Sequence, residues 1–488
     1  MGGGPSAAPE AKRNSPSVYV GAKYPERGNN MEKYDVIIIG AGPAGIFAAL
    51  ELAAEGRHKI LILEKGKNIG QRHCPRKGEE QCYHCPNCSI VSGWGGAGAF
   101  SDGKLTLTTE FGGWLDEYQG KAKVRELIAY ADDVYCRFGA PTKIYGTDME
   151  EIRPIQRQAA RADLALIPAP IRHLGTDKCY EILKNMRDYL SERVEIRTDT
   201  KVEHIIVEND TVLGVETKGG DRILGKYVIA APGREGSEWF AREATRLGLK
   251  TKINPVDIGV RVELPAPIFD HITDVIYESK FIFHSKFFDD RVRTFCMSPH
   301  GEVVVENNFG LLTVNGHSYA QRKTNNTNFA LLVSKTFTEP FKEPISYGKH
   351  IASLANLLGG GVIVQRLGDL LSGRRSTEER IARGMVEPTL KDATPGDLSL
   401  VLPYRHLVSI LEMLEALDVV APGANSRHTL LYGIEAKFYS SRLELSQALE
   451  SQLTNFFAAG DGAGVTRGLI QASAAGVVVA REILRRGK

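Results

Sequence analysis

The chain has 488 residues, seven of them cysteine, and 61 Lys and Arg against 59 Asp and Glu leave a formal charge of +2. That length exceeds the size at which a single core stops growing, so two domains are expected. The balanced charge excludes a general field drawing the protein to nucleic acid or an anionic membrane, and no apolar run approaches the roughly 18 residues that a bilayer span requires. Specificity must then lie in local pockets, with a small molecule as the expected substrate.

Residues 1–30 are rich in Gly, Pro, Ala and Asn without periodicity and are expected to form a disordered leader. "MGGGPS" fits the short N-myristoylation pattern, but no polybasic signal accompanies it. With no apolar signal core, the expected location is the cytoplasm or an equivalent reducing space.

Next comes "YDVIIIGAGPAGIFAALELAAEGRHKILILEKG". The β-branched run Val36 to Ile39 predicts a buried parallel strand, and Pro43 to Glu55 predicts a helix stopped by Gly56. Between them stands G-x-G-x-x-G. Gly40 permits the tight turn, Gly42 lets backbone approach a pyrophosphate, and Gly45 lets helix and strand touch. Pro43 and Ala44 open the helix, whose N-terminus offers N–H groups and partial positive charge to the anion. The strand "KILILE" ends on Glu64, followed by Lys65, which places a carboxylate where it can accept hydrogen bonds from a ribose diol.

Near the other end, "NFFAAGDGAGVTRGLIQASAAGVVVAREILRR" resembles the second FAD fingerprint of glutathione-reductase-like flavoproteins. The resemblance implies that Asp461, after Gly460, holds the ribityl chain, and that a helix starting near Arg467 or Gly468 aims its positive end at the flavin pyrimidine. "KYVIAAPGRE" resembles the Ala-Thr-Gly turn of the same proteins and ends at Gly233. "VEIRTDTKVEHIIVENDTVLGVET" resembles the hairpin that passes the adenine, with Val202 as the backbone contact. FAD is therefore the expected cofactor. No second G-x-G-x-x-G opens a helix after a strand, so a separate nicotinamide domain is not expected.

"SGWGGAGAFSDGKLTL" has almost no side-chain bulk at Gly95 and Gly96, as needed where backbone runs along a cofactor; a flexible surface loop is the alternative. Ser101 and Asp102 become candidate flavin or substrate contacts. Lys104 is a candidate to favour an anionic reduced flavin. His173 lies just before a helix expected to be capped by Thr176 or Asp177, and is a candidate for proton transfer or a plain structural histidine.

The nucleotide-binding domain is expected to be discontinuous, 31–250 and 425–488. An inserted domain over 251–424 shows short alternating strands that suggest an antiparallel sheet, then an amphipathic helix at "HLVSILEMLEALD". "TVNGHSYAQRKTNNTNFALL" crowds Asn315, His317, Ser318, Arg322, Asn325 and Asn328 before an apolar run expected to be helical, and "GIEAKFYSSRLE" adds Glu435, Lys437 and Tyr439. Either could aim donors at a flavin edge or a substrate carboxylate, or simply cap a helix. The fold class expected is α/β: a Rossmann-like FAD-binding domain with a parallel sheet, and an inserted α+β substrate or cap domain.

"CPRKGEEQCYHCPNC" concentrates Cys74, Cys82, Cys85 and Cys88 in fifteen residues. Three readings stay open beside ordinary surface thiols: ligands of a [4Fe–4S] cluster, ligands of zinc, or redox thiols activated by Arg76, Lys77 or His84. Cys136, Cys179 and Cys296 occupy apolar contexts and are expected in the core.

Together, "GAGPAGIFAALEL", "CPRKGEEQCYHCPNC", "SGWGGAGAFSDGKLTL", "RHLGTD", "NGHSYAQR", "TLLYGIEAKFYS" and "AAGDGAGVTRGLIQASAAG" resemble a family of largely uncharacterised FAD-dependent dehydrogenases, from about residue 33 onward. The resemblance implies an FAD-bound two-domain flavoprotein and little about the substrate; the leading expectation is an FAD-dependent dehydrogenase or reductase in which a small-molecule substrate exchanges a hydride with flavin N5. A protein electron donor or acceptor would then complete the cycle. A flavin monooxygenase and a non-catalytic FAD-binding scaffold for redox sensing or RNA modification are the alternatives.

Overall fold

The computed structural model describes residues 32–75, 85, 87–101, 103–252, 254–308, 310–318, 323–337, 343–437 and 442–487. Cys82, His84, Arg76, Lys77, Asp102, Arg322 and Tyr439 lie outside the described residues, as does the leader to residue 31.

The first strand, Lys33–Ile39, is buried along its apolar half and pairs in parallel with Ile60–Leu63 and with Arg222–Ala230. Outward from these lie Glu195–Arg197 on one side and Phe456–Ala458 beside Arg222–Ala230, both parallel. The strands Val202–Glu208 and Thr211–Thr217 add an antiparallel meander. Strands buried on both faces read as continuous Val, Ile and Leu, which explains why "VIII" and "ILIL" lack alternation. Helix Pro43–Glu55 follows the first strand and stops at Gly56, whose φ of 63° supplies the left-handed C-terminal turn. It lies against the C-terminal helix Leu469–Arg486. A Cβ on Gly476 would stand 2.1 Å from the Ala44 carbonyl, so the approach of these helices depends on glycine there.

The second unit is built on an eight-stranded sheet. Its order is Thr394–Pro395, Ile363–Arg366, Leu430–Lys437, Val256–Pro265, Asn326–Lys335, Arg291–Ser298, Lys280–His284 and Ala165–Ile167. Helix Tyr404–Val420 covers it through Ile410, Met413, Leu414 and Leu417, all fully buried. A separate hairpin, Glu302–Asn308 with Leu311–His317, packs on it through the buried Val303 and Val314. Among the described residues, no helix is long and apolar enough to cross a membrane.

Three expectations change. Leu430–Lys437 pairs with both Val256–Pro265 and Ile363–Arg366, so the inserted sheet runs past residue 425 to 437; it also recruits Ala165–Ile167 from before residue 250. The apolar run after "TNNTN" is the central strand Asn326–Lys335, and a short apolar run does not itself distinguish helix from buried strand. The helix Thr176–Ser191 starts at Thr176 itself, so Gly175, with φ 78°, holds the cap position, one or two residues earlier than expected.

Candidate functional site

Between the two sheets lies a cavity of ≈ 2140 Å³. Small-molecule pockets run to about 1,000 Å³, so there is room for a dinucleotide and a second molecule.

The G-x-G-x-x-G loop forms one wall, and its glycines fall into two kinds. A Cβ at Gly40 (φ +101°) would lie 2.2 Å from the Ala231 carbonyl oxygen, and one at Gly45 would lie 2.0 Å from the Gly40 carbonyl oxygen. Those two glycines serve packing, and Gly45 does not border the cavity. Gly42, Gly233 and Gly468 border it, and nothing lies within 4 Å of a Cβ at any of them. Bare backbone therefore faces open space from three separate segments, a cradle that side chains would fill and that a pyrophosphate-linked dinucleotide fits. Pro43 and Ala44 bring the helix N-terminus to the same wall.

Glu64, 6% exposed, also borders the cavity. Its Oε2 accepts the Ala41 N–H (2.8 Å), and its Oε1 accepts the N–H groups of Gly66 (2.9 Å) and Gly93 (3.0 Å). The carboxylate thus ties the nucleotide loop to the glycine tract. Two oxygens with about four acceptor sites leave capacity for a ribose hydroxyl. Lys65 is ion-paired with Glu235, and burial holds its amine below the usual range. Val202 also borders the cavity.

The glycine tract is braced rather than flexible. Trp94 is fully buried with its indole N–H on the Leu183 carbonyl (2.8 Å). Arg72 donates to the carbonyls of Ser89 (2.9 Å), Ile90 (2.9 Å) and Trp94 (2.6 Å), and burial holds its guanidinium down to about 10. Gly96 and Ser101 border the cavity. Gly95 instead packs on Leu183, donating its N–H to Ala41 (2.7 Å). Cys74, Cys85 and Cys88 border the cavity beside this tract, whereas Cys82 is outside the described residues. Among the described residues, no three His, Cys, Asp or Glu side chains gather as a metal-ligand group.

The C-terminal fingerprint closes the other side. Gly460, Asp461, Arg467 and Gly468 border the cavity. Asp461 Oδ1 accepts the Thr466 hydroxyl (2.7 Å) and the Gly468 N–H (3.2 Å), and Arg234 stands 4.0 Å from Oδ2. The segment Phe111 to Trp114 is laced to this turn: the Arg467 N–H donates to Gly112 (2.7 Å), Trp114 N–H to Val465 (2.9 Å), and Gln471 Nε2 to Phe111 (3.0 Å). The Arg467 guanidinium lies over the Trp114 ring at 3.9 Å.

The inserted sheet supplies the facing wall. Lys104 borders the cavity, donating to the Met297 carbonyl (2.8 Å) with Glu278 at 3.6 Å. His173 sits opposite Lys104 on the paired strand, stacks on Tyr277 at 4.8 Å, and does not border the cavity. Of the two readings of His173, proton transfer or a plain structural histidine, ring stacking and strand pairing are the contacts described for it. Asn315 and His317 border the cavity from the hairpin Glu302–Asn308 with Leu311–His317, which also contributes Glu306. Ser318, Asn325 and Asn328 do not. Burial would raise the Glu306 carboxyl, but Lys437 and Arg234 outweigh it and hold the carboxyl low.

Behind Glu306 runs a charge chain. Lys437 Nζ lies 3.6 Å from Glu306 and 3.0 Å from Glu435, and Glu435 pairs with Arg261 at 2.8 Å, both fully buried. Arg261 also donates to the Cys296 carbonyl (3.0 Å) and Asn328 Oδ1 (3.1 Å). Cys179 is in the core, while Cys136 is half-buried and Cys296, also half-buried, borders the cavity rather than joining the core. Lys280, Arg291 and Arg293 complete this wall and were not singled out from the sequence. The alternation of Arg291, Arg293 and Phe295 with Val292 and Thr294 was the available signal.

Comparison with known proteins is consistent with this division. Residues 255–438 match the family described as FAD-dependent protein, C-terminal domain-like, and residues 35–74 match the FAD binding domain. An uncharacterized protein of Clostridium beijerinckii is 28% identical over 481 residues, covering 92% of this chain and 80% of that protein. Protein FixC of Escherichia coli K12 is 26% identical over 250 residues, covering 49% of this chain and 45% of FixC. Distant solved structures include glycine oxidase from Geobacillus kaustophilus, at 15% identity and a TM-score of 0.40, covering 93% of this chain and 95% of that one. The two matches fall on the two units that face each other across the cavity, and both are to families of FAD-dependent or FAD-binding proteins.

Proposed function

We propose that the chain is an FAD-dependent dehydrogenase or reductase whose cavity holds FAD along the first unit and a small-molecule substrate against the inserted sheet. One observation carries this reading. A single cavity joins the bare-backbone cradle of Gly42, Gly233 and Gly468 to a polar wall of the inserted domain, with volume beyond what one ligand needs.

Bound FAD supplies the hydride-accepting or hydride-donating chemistry. The chain's residues do the rest. Gly42 and the following helix N-terminus receive the pyrophosphate, Glu64 accepts from the ribose, and Asp461 receives the ribityl hydroxyls while holding its own turn through Thr466 and Gly468. Lys104, already held by Met297 and Glu278, places a cation beside the flavin end of the cavity. Cys74, Cys85 and Cys88 border the same space, which supports reading the tract as thiols or metal ligands acting next to the flavin; a protein partner delivering or removing electrons would then approach on that side.

Anaerobic photoreduction tests the proposal. The bound flavin is expected to bleach reversibly and to be re-oxidised by an artificial acceptor. Bound flavin that resists reduction would leave an FAD-binding scaffold. Oxygen incorporation into a product during turnover would point to monooxygenation instead.

A further inference from the structure

Resting on that flavin assignment, we propose that the substrate carries a carboxylate, and that Lys280, with Arg293 beside it, is the site that receives it. Lys280 opens the strand Lys280–His284 and borders the cavity although only 8% exposed. Its ammonium lies 3.4 Å from the centre of the Phe111 ring. Phe111 in turn accepts from Gln471, on the helix that follows the Asp461 turn, so this cation stands at the end of the cavity where that helix begins.

The charged groups acting on Lys280 are Arg293 and Arg291 on one side of the balance and Glu278 and Asp257 on the other, and all four border the cavity. Glu278 is 3.6 Å from Lys104, and Asp257 is engaged by Arg293 (2.5 Å) and the Ser334 hydroxyl (2.6 Å). Among the described residues, no carboxylate comes within ion-pair distance of Lys280. A nearly buried ammonium with a ring on one side and no counter-ion is costly unless an anion completes it. Burial and the neighbouring Arg293 accordingly hold its amine well below the ordinary lysine range, and Glu278 and Asp257 offset this only in part. The flanking rings, Phe111 under Lys280 and Phe295 under Arg293 at 4.6 Å, favour a carboxylate on an apolar body over a fully hydrated anion.

The test uses the flavin-loaded full chain and three probes: benzoate, its neutral analogue benzamide, and inorganic phosphate, each titrated by calorimetry. Benzoate is expected to bind saturably and at least about tenfold tighter than benzamide or phosphate. Lys280→Met should weaken benzoate about tenfold or more with flavin content unchanged, and Lys280→Arg should restore most of the affinity. Absence of saturable benzoate binding, equal binding of benzamide or phosphate, or wild-type benzoate affinity in Lys280→Met would each overturn the proposal. Flavin content is measured separately, so a wild-type protein lacking flavin contradicts the cofactor reading while the anion titration still decides this one.

Discussion

At the scale of single residues, the fingerprint glycines are not interchangeable, and the difference is measurable. A side chain at Gly42 would enter open cavity, whereas one at Gly45 would strike the Gly40 carbonyl at 2.0 Å. Gly42→Val is therefore expected to fold with near-wild-type stability and lose FAD affinity by roughly a hundredfold, because the added bulk occupies the pyrophosphate path. Gly45→Val should instead lower the denaturation midpoint by several degrees or prevent folding. Thermal unfolding and flavin titration on the two variants check this, and identical behaviour would remove the distinction. Gly42 and Gly45 were readable from sequence because local backbone geometry alone dictates them. The triple role of Glu64 was not, because Gly93 reaches it from a loop lying beyond the cysteine tract.

At the scale of elements, the strand Leu430–Lys437 carries the buried Glu435 that neutralises Arg261. Glu435→Gln would leave both Arg261 and Lys437 without that charge, costing about 3 to 5 kcal/mol in urea unfolding. A loss below about 1 kcal/mol would show that the pair contributes little. The cysteine tract gives a second prediction. Since Cys74, Cys85 and Cys88 border the same cavity as the nucleotide loop, alkylation of these thiols should be slower in flavin-bound than in flavin-free protein, as read by peptide mass spectrometry. Equal rates would separate the thiols from the cofactor. Strands and helices of the first unit were legible because each carries its own periodicity and stop signals. The extent of the inserted sheet was not: Leu430–Lys437 and Ala165–Ile167 join it by long-range pairing, which a local pattern does not reveal.

At the scale of the whole molecule, stability should fall in mild acid through a group remote from the cavity. His406 is 2% exposed, both ring nitrogens are buried without a hydrogen-bond partner, and burial pushes its imidazole down to about 4 from 6.5. The folded protein keeps it neutral, while the unfolded chain takes up a proton below 6.5. The contribution is thus complete above about pH 6.5 and is lost as pH falls toward 4, by on the order of 3 kcal/mol. Asp290 and Glu482, held low by Arg405 and Lys335 and by Arg485 and Arg486, add acid sensitivity of their own. The comparison is therefore between wild type and His406→Leu, with the variant showing the flatter pH dependence in urea midpoints. Parallel profiles would contradict the assignment.

The two-unit architecture was legible because the two nucleotide fingerprints flank the insert in sequence, and both return to one parallel sheet at Lys33–Ile39 and Phe456–Ala458. The cationic wall escaped sequence reading because Phe111, Lys280 and Arg293 meet only after the two sheets close over the cavity. The central claim is that this cavity binds FAD through both fingerprints, and flavin stoichiometry tests it most directly. Wild-type protein saturated with FAD and freed of excess should retain about one flavin per chain, while Gly42→Val and Asp461→Ala, each folded by circular dichroism, should retain little. Full flavin content in either variant, or none in the wild type, would contradict the account.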